Sequence, residues 1–226
     1  KIKAWKIGSG ETNNYPMLEY IAKTKKPIYL STGLSNYKEI SETIKFIKKF
    51  NSNIVLMQCT SLYPCPKNQI GLNVINEYKK RFNLNVGYSD HSGKIEILTA
   101  AYTLGAQVIE THITFSKHIN LFDNSSSIEV ADLKRLSEYI STLDEVIKNP
   151  VDKNKKNKVI KRNKSLFEKS IVINKDMKKN DILKIKDLDF KKPAIGINAK
   201  YFRQVIGKKL KNNLKSGTFL KFNKIV

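Results

Sequence analysis

The residues best equipped for chemistry are two histidines that close two short apolar runs. Val86-Gly87-Tyr88-Ser89-Asp90 leads into His91, and Val108-Ile109-Glu110-Thr111 leads into His112. Two neutral imidazoles at the ends of successive strands can hold one divalent ion, and imidazole alone leaves Mn, Fe, Co and Zn open. With water and substrate oxygens completing the coordination, such a site is Lewis-acidic. A second set comprises Lys6, Ser9, Ser31, Ser61 and Ser89, each at or just beyond a strand end. One cation and several hydroxyls converging there make a pocket for a phosphate or carboxylate. Glu11 and Asp123 are the carboxylates best placed for proton transfer or for gripping sugar hydroxyls. Glu110, inside the His112 strand, ranks behind Glu11 as a partner of the metal or its water. Cys59 follows an apolar strand and reads as a packed core thiol.

The elements that position these groups alternate. Expected strands at Ala4–Ile7, Pro27–Leu30, Ile54–Met57, Val86–Tyr88 and Val108–Thr111 are separated by helices near Tyr15–Lys23, Tyr37–Phe50, Ile70–Arg81 and Ile95–Leu104, and a longer helix follows near Ala131–Ile147. In the second helix Ile40, Ile44 and Ile47 share one face. Five βα units with short apolar strands predict a parallel sheet, because parallel neighbours need a helical crossover. Every polar, Gly-rich or His-bearing segment follows a strand, as at the C-terminal face of a (β/α) barrel. An open doubly wound sheet also binds ligands there. Five units do not close an eight-stranded barrel, so three more are expected upstream of Lys1 or absent. Lys148–Lys164, rich in Lys and Asn, reads as a linker, and from Ser165 short apolar pieces (Ser170–Ile173, Leu183–Phe190, Thr218–Phe222) predict a small β-rich domain.

Composition narrows the class. The net charge of +22 rests almost wholly on lysine, alongside abundant Asn and Ile, and Arg occurs only at 81, 135, 162 and 203. That pattern reads as a compositional bias across the chain, and neither a nucleic-acid nor a membrane partner is expected. No run of 18 apolar residues offers a membrane span. Two cysteines, Cys59 and Cys65, make no disulfide framework, which suits a reducing cytoplasm.

Several motifs, in order along nearly the whole chain, resemble the bacterial sialic acid synthases (N-acetylneuraminate, legionaminate and pseudaminate synthases). They are Lys6-Ile7-Gly8-Ser9-Gly10-Glu11, Leu30-Ser31-Thr32-Gly33, Cys59-Thr60-Ser61-Leu62-Tyr63-Pro64, Gly87-Tyr88-Ser89-Asp90-His91-Ser92 and Glu110-Thr111-His112-Ile113-Thr114. Ser165–Ile173, Lys192-Pro193-Ala194-Ile195-Gly196-Ile197 and Val205-Ile206-Gly207-Lys208 resemble the family's small antifreeze-like SAF domain. The resemblance implies an α/β fold: the C-terminal part of a TIM (β/α)8 barrel over residues 1–148, a linker over 149–164 and a SAF domain over 165–226. It implies condensation of phosphoenolpyruvate with an N-acetylated hexosamine such as N-acetylmannosamine, giving a nine-carbon 2-keto-3-deoxy sugar acid and phosphate. It further implies Mn2+ (or Mg2+ or Co2+) on His91 and His112, which with Glu11 make the catalytic set. Lys6, Ser9, Ser31, Ser61, Tyr63 and Ser89 fall around phosphoenolpyruvate, and Asp123 and Lys192 near the sugar. The expected assembly is a homodimer in which each SAF domain caps its partner's barrel, in the cytoplasm. Two segments depart from the family pattern: Leu121-Phe122-Asp123-Asn124 stands for a Gly-Pro-Asp-His run, and Lys191-Lys192-Pro193-Ala194 for an Arg-Pro-Gly-like segment. The competing readings are an inactive or partial relative of these synthases and a basic polyanion-binding module.

Overall fold

The computed structural model describes residues 2–119, 122–155 and 157–226. Residues 1–150 and 151–226 form two compact units. In the first, six parallel strands run in the order β1 (Trp5–Ile7), β2 (Ile28–Ser31), β3 (Ile54–Cys59), β4 (Asn85–Asp90), β5 (Ile109–Thr114) and β6 (Ser127–Glu129). Each strand pairs with the next in sequence. A doubly wound sheet would reverse direction at a switch point, and this one does not, so it is a singly wound arc of a barrel. Five strands were expected. The sixth escaped because Ser127-Ile128-Glu129 offers one apolar residue, though Ile128 is fully buried.

Helices α1 (Tyr15–Lys23), α2 (Tyr37–Lys48), α3 (Asn73–Phe82), α4 (Ile95–Thr103) and α5 (Val130–Lys148) cover one face of the sheet. The strand period of two divides the side chains between faces. Ile7, Leu30, Leu56, Val86, Tyr88 and Ile128 join Leu18, Ile40, Ile75, Leu98 and Leu136 in the core. Their strand neighbours Lys6, Ser31, Cys59, Ser89, Glu110 and His112 face the other way. The inner face is therefore polar toward the C-terminal ends of the strands. Caps fix the helix starts: Asn36 and Glu39 form a reciprocal capping box on α2, and the Asn14 side chain accepts from Met17 N at the head of α1. No described helix is long and apolar enough to cross a membrane.

The second unit begins with α6 (Lys158–Phe167), so part of the stretch expected as a linker over 149–164 is helical. Strands β7 (Ser170–Ile173) and β8 (Leu188–Lys191) then pair antiparallel, and isolated bridges join Val172 to Phe219, Met177 to Leu214 and Leu210 to Ile225. Its core gathers Ile171, Ile173, Leu183, Val205, Leu210 and Leu220. Regular strand is scarcer than the expected β-rich domain implied.

Candidate active site

A cavity of about 570 Å3 opens at the C-terminal ends of β1 to β5. Its walls include Lys6, Ser9, Ser61, Tyr63, Ser89, His91 and His112, seven of the residues singled out from the sequence, together with Cys59, Asp90 and Glu110.

The histidine half is held from behind. His91 is buried, and its Nδ1 lies 2.8 Å from the Thr60 carbonyl oxygen. A carbonyl can only accept, so in the neutral imidazole Nδ1 carries the proton and the Nε2 lone pair is left for a ligand. The His112 ring stands with its centre 5.4 Å from that of His91. Two imidazoles on one ion, each with nitrogen about 2 Å from it, have ring centres up to about 6 Å apart. The spacing thus fits a shared divalent ion. Among the described residues no group of three or more His, Cys, Asp or Glu side chains is arranged for a metal. Such an ion would therefore keep open positions for water or substrate. Tyr63 stacks on His91 with ring centres 3.9 Å apart and meets His112 at 6.0 Å. Desolvation, and then the acidic groups Asp123 and Glu110, push its phenol above the usual range, so it stays a hydrogen-bond donor.

The loop bearing His91 is set by Asp90, which is completely buried. Its Oδ1 accepts from Tyr88 Oη at 3.1 Å and Ser92 Oγ at 2.7 Å, and its Oδ2 from Gly93 N at 3.0 Å. Gly93 has φ +61°, and a Cβ there would fall 2.7 Å from the Ser127 carbonyl, so only glycine fits. Burial and the adjacent carboxylate raise the Tyr88 phenol far above its ordinary value.

The other half of the cavity is a hydroxyl cluster around Cys59. Ser9, Ser61 and Ser89 hydrogen-bond toward the thiol and Lys6 acts on it through its charge, yet burial prevails and the thiol is pushed up. Cys59 stays protonated and serves as the floor of the pocket. Gly33 N donates to Ser9 Oγ at 2.9 Å, and a Cβ on Gly33 would lie 2.4 Å from Ser61 Oγ. The backbone here comes as close to the hydroxyls as glycine allows. Lys6 Nζ sits 3.0 Å from Glu110 Oε2, both partly exposed.

The remaining expected residues lie elsewhere. Ser31, on β2, is buried and its Oγ has no hydrogen-bond partner among the described residues, but it does not line the cavity. Glu11 lies in an exposed turn after β1, where it accepts from Asn14 Nδ2 at 2.8 Å, and it does not line the cavity either. Asp123 is exposed and left-handed (φ 61°), and its backbone carbonyl accepts from Ser127 Oγ. Leu121, in the same motif, is outside the described residues. Lys192 belongs to the second unit, with its ammonium 5.0 Å from the centre of the Phe167 ring. Sequence reasoning missed Gly33 and Asp90 as builders of the site. The signals were present: a glycine directly after the polar end of β2, and an acid flanking the histidine.

A singly wound parallel sheet with a histidine pair and a hydroxyl-rich cavity at its strand ends defines a protein of the (β/α)-barrel class. The chain belongs to the NeuB family, which matches residues 1–152, and a SAF domain matches residues 168–226. The N,N'-diacetyllegionaminic acid synthase of Campylobacter jejuni is 38% identical, over 97% of this chain and 66% of its own length. The pseudaminic acid synthase of that species is 31% identical, over 96% of this chain and 63% of its own. The crystal structure of the N-acetylneuraminic acid (sialic acid) synthetase from Leptospira borgpetersenii, in complex with citrate, superposes with a TM-score of 0.64 at 28% identity. It covers 72% of this chain and 56% of that one. The chain thus spans about two thirds of the length of these curated relatives.

Proposed function

We propose that the protein acts in condensing phosphoenolpyruvate with an N-acetylated amino sugar, giving a nine-carbon 2-keto-3-deoxy sugar acid and phosphate. The observation that carries the reading is the meeting of Lys6, Ser9, Ser61 and Ser89 with His91 and His112 in one cavity. The names of the relatives support the product class, and they divide between legionaminic, pseudaminic and sialic acids, so the acceptor is a 2-acetamido sugar whose other substituents vary.

In this reading Lys6 and the serine hydroxyls bind the phosphate and carboxylate of phosphoenolpyruvate. They fix its methylene carbon toward the histidine side, which contributes positioning. His91 and His112 hold a divalent ion, Mn2+ in the first instance, through the ring nitrogens left free of backbone bonds. When bound, that ion supplies Lewis acidity toward a carbonyl oxygen. The C3 carbon of phosphoenolpyruvate forms the new bond to the sugar aldehyde carbon, water adds at C2, and the C2–O bond to phosphate breaks as the ketone forms. Tyr63, protonated at neutral pH, donates a hydrogen bond beside the histidines. Glu110 holds Lys6 by charge and lines the cavity beside it. Glu11 and Asp123 stay as sugar-side carboxylates at the rim, and Lys192 as an acceptor-side cation. The homodimer in which one SAF domain caps the partner's barrel belongs to the same proposal, with Lys192 as its contribution to the acceptor side.

The test is phosphate release from phosphoenolpyruvate by the chain with Mn2+ and a panel of N-acetylated hexosamines and diacetamido sugars, beside His91→Ala. Release that requires sugar, metal and His91 is expected. A folded, metal-loaded protein that releases no phosphate with any sugar overturns the activity.

A further inference from the structure

The two histidines of the cavity are held in different ways. His91 is gripped at three points by one stretch of chain, the loop over residues 60–72 that joins β3 to α3. Its Nδ1 meets the Thr60 carbonyl at 2.8 Å, its own carbonyl accepts from Cys65 N at 2.8 Å, and Tyr63 covers its ring at 3.9 Å between centres. The Cys59 thiol, 3.8 Å from the same Nδ1, is the weaker partner. Among the described residues the His112 ring takes part in no hydrogen bond, and its position comes from β5 and a near-perpendicular contact with Tyr63. The aim of the pair therefore depends on how firmly the loop holds His91.

The loop has little packing of its own. From residue 61 to residue 70 only Cys65 and Ile70 are buried. Segments with so few buried contacts open easily unless hydrogen bonds close them. Here the closure is at the neck. Thr60 Oγ1 donates to the Gln69 carbonyl at 3.0 Å and lies 3.3 Å from that of Ile70, and Gln58 Nε2 donates to the Ile70 carbonyl at 3.4 Å. Gly71, with φ +71°, lets the chain pass there, since a Cβ would fall 2.9 Å from Gln58 Nε2. The Thr60 carbonyl accepts from Leu62 N at 2.9 Å as well as from the His91 ring. One residue thus joins the two tasks: its hydroxyl shuts the neck, and its carbonyl faces the imidazole. With the side chain and the carbonyl both fastened, the Thr60 peptide plane has one orientation.

We propose that Thr60 is a positioning residue for the metal site, acting through its hydroxyl to hold His91 in the tautomer that can take an ion. The proposal rests on the reading of His91 and His112 as the pair that binds a divalent cation. A neutral imidazole exists in two tautomers, and only the one protonated at Nδ1 keeps the Nε2 lone pair for a ligand. If the Thr60 carbonyl turns away, the ring loses its acceptor and the other tautomer presents an N–H where the lone pair stood. Loss of a group behind a metal-binding histidine costs about 10–100-fold in metal affinity. The Thr60 hydroxyl acts one step further back, through the carbonyl, so the expected loss is about tenfold. Its neighbour Ser61 lines the cavity, whereas Thr60 does not. An effect of the Thr60 hydroxyl on the metal without an effect on the anion pocket therefore marks positioning, as distinct from general damage to the loop.

Two substitutions in the full chain test this. Thr60→Val keeps the shape of the side chain and deletes the hydroxyl, and Thr60→Ser keeps the hydroxyl. Paramagnetic resonance of free Mn2+ should show affinity about tenfold weaker for Thr60→Val and within about twofold of wild type for Thr60→Ser. Phosphoenolpyruvate affinity without metal should be the same in all three proteins, and Thr60→Val should melt only about 2–4 °C lower, as loss of one hydrogen bond implies. With only three histidines in the chain, nitrogen NMR of the 15N-histidine-labelled, metal-free protein reads the tautomer directly. At pH 8, above the ordinary imidazole range, His91 should carry its proton on Nδ1 in the wild type and in Thr60→Ser, and should show mixed tautomers in Thr60→Val. Unchanged Mn2+ affinity and an unchanged tautomer in Thr60→Val overturn the proposal. So does an equal fall in Mn2+ affinity and metal-free phosphoenolpyruvate affinity, because the loop is then merely disordered by the change. If the wild type itself binds no Mn2+, the histidine-pair reading fails, and the tautomer measurement alone still decides whether Thr60 sets His91.

Discussion

Gly33→Ala is the substitution that best separates packing from binding in this site. The backbone of Gly33 lies outside the left-handed region, so alanine is not strained there. It even removes chain entropy from the unfolded state, a gain of about 0.4–1 kcal/mol. Against this, its Cβ would stand 2.4 Å from Ser61 Oγ and 3.0 Å from both Cys59 Sγ and Ser9 Oγ. Ordinary contact begins near 3.5 Å, so the Ser61 hydroxyl must retreat by about 1 Å or turn to another rotamer. Overpacking of this kind costs about 1–3 kcal/mol, and the net loss of stability is therefore between nothing and about 2.5 kcal/mol. The effect on ligand is larger and of fixed sign. A hydroxyl turned from a phosphate forfeits a charge-assisted hydrogen bond of about 1.5–3 kcal/mol. Phosphoenolpyruvate affinity by titration calorimetry should fall by about ten- to a hundredfold, while the melting temperature falls by at most about 10 °C. A double-mutant cycle with Ser61→Ala should be non-additive, since alanine at 61 already lacks the displaced atom. Unchanged affinity in a variant that melts lower would refute the assignment of the hydroxyl cluster as the anion site.

Three further expectations follow from individual contacts. Asp90→Asn puts amide hydrogens where three donors converge on a buried carboxylate, and should cost about 3 kcal/mol by chemical denaturation, with loss of the His91 loop geometry. Glu110→Gln removes an ion pair whose partners are 36% and 40% exposed, so stability should change by less than about 1 kcal/mol, while phosphoenolpyruvate binding responds to the freed Lys6. Asp187 is buried against Lys175 Nζ at 2.6 Å, and that contact holds its carboxyl below the usual range. A depressed folded value means that its contribution is complete above the unfolded value of about 3.9 and is lost as pH falls through the lower folded one. Asp187→Asn should therefore lower the melting temperature at pH 7, and the difference from wild type should close below about pH 4 in circular-dichroism melts.

Much of this architecture is legible in the sequence, and the rest fails for physical reasons. β1 to β5 and α1 to α5 announce themselves, because buried strands need apolar runs and amphipathic helices need a 3.6-residue period. The structure extends β3 to Cys59 and β5 to Thr114, since a strand whose inner face lines a polar cavity ends in polar residues that read as loop. β6 is hidden in a serine-rich run for the same reason. α6 reads as a tether from its lysines, although the spacing of Val159, Ile160, Leu166 and Phe167 is helical. In the site, Cys59 looks like core because it closes an apolar strand, and only the inward turn of alternate residues brings its thiol among three hydroxyls. Glu110 and Glu11 both carry a carboxylate near a strand end. What separates them is pleat direction: Glu110 faces inward on β5, whereas Glu11 sits beyond the strand in an exposed turn.

The proposed mechanism requires His91 and His112 to hold one divalent ion beside the hydroxyl pocket. Electron paramagnetic resonance of free Mn2+ during titration with the protein measures it directly. The wild-type chain should deplete the free-ion signal to one equivalent, and His91→Ala and His112→Ala should each abolish that depletion while keeping the wild-type circular-dichroism spectrum. Equal depletion by the wild type and both variants would place the ion elsewhere and overturn the histidine site.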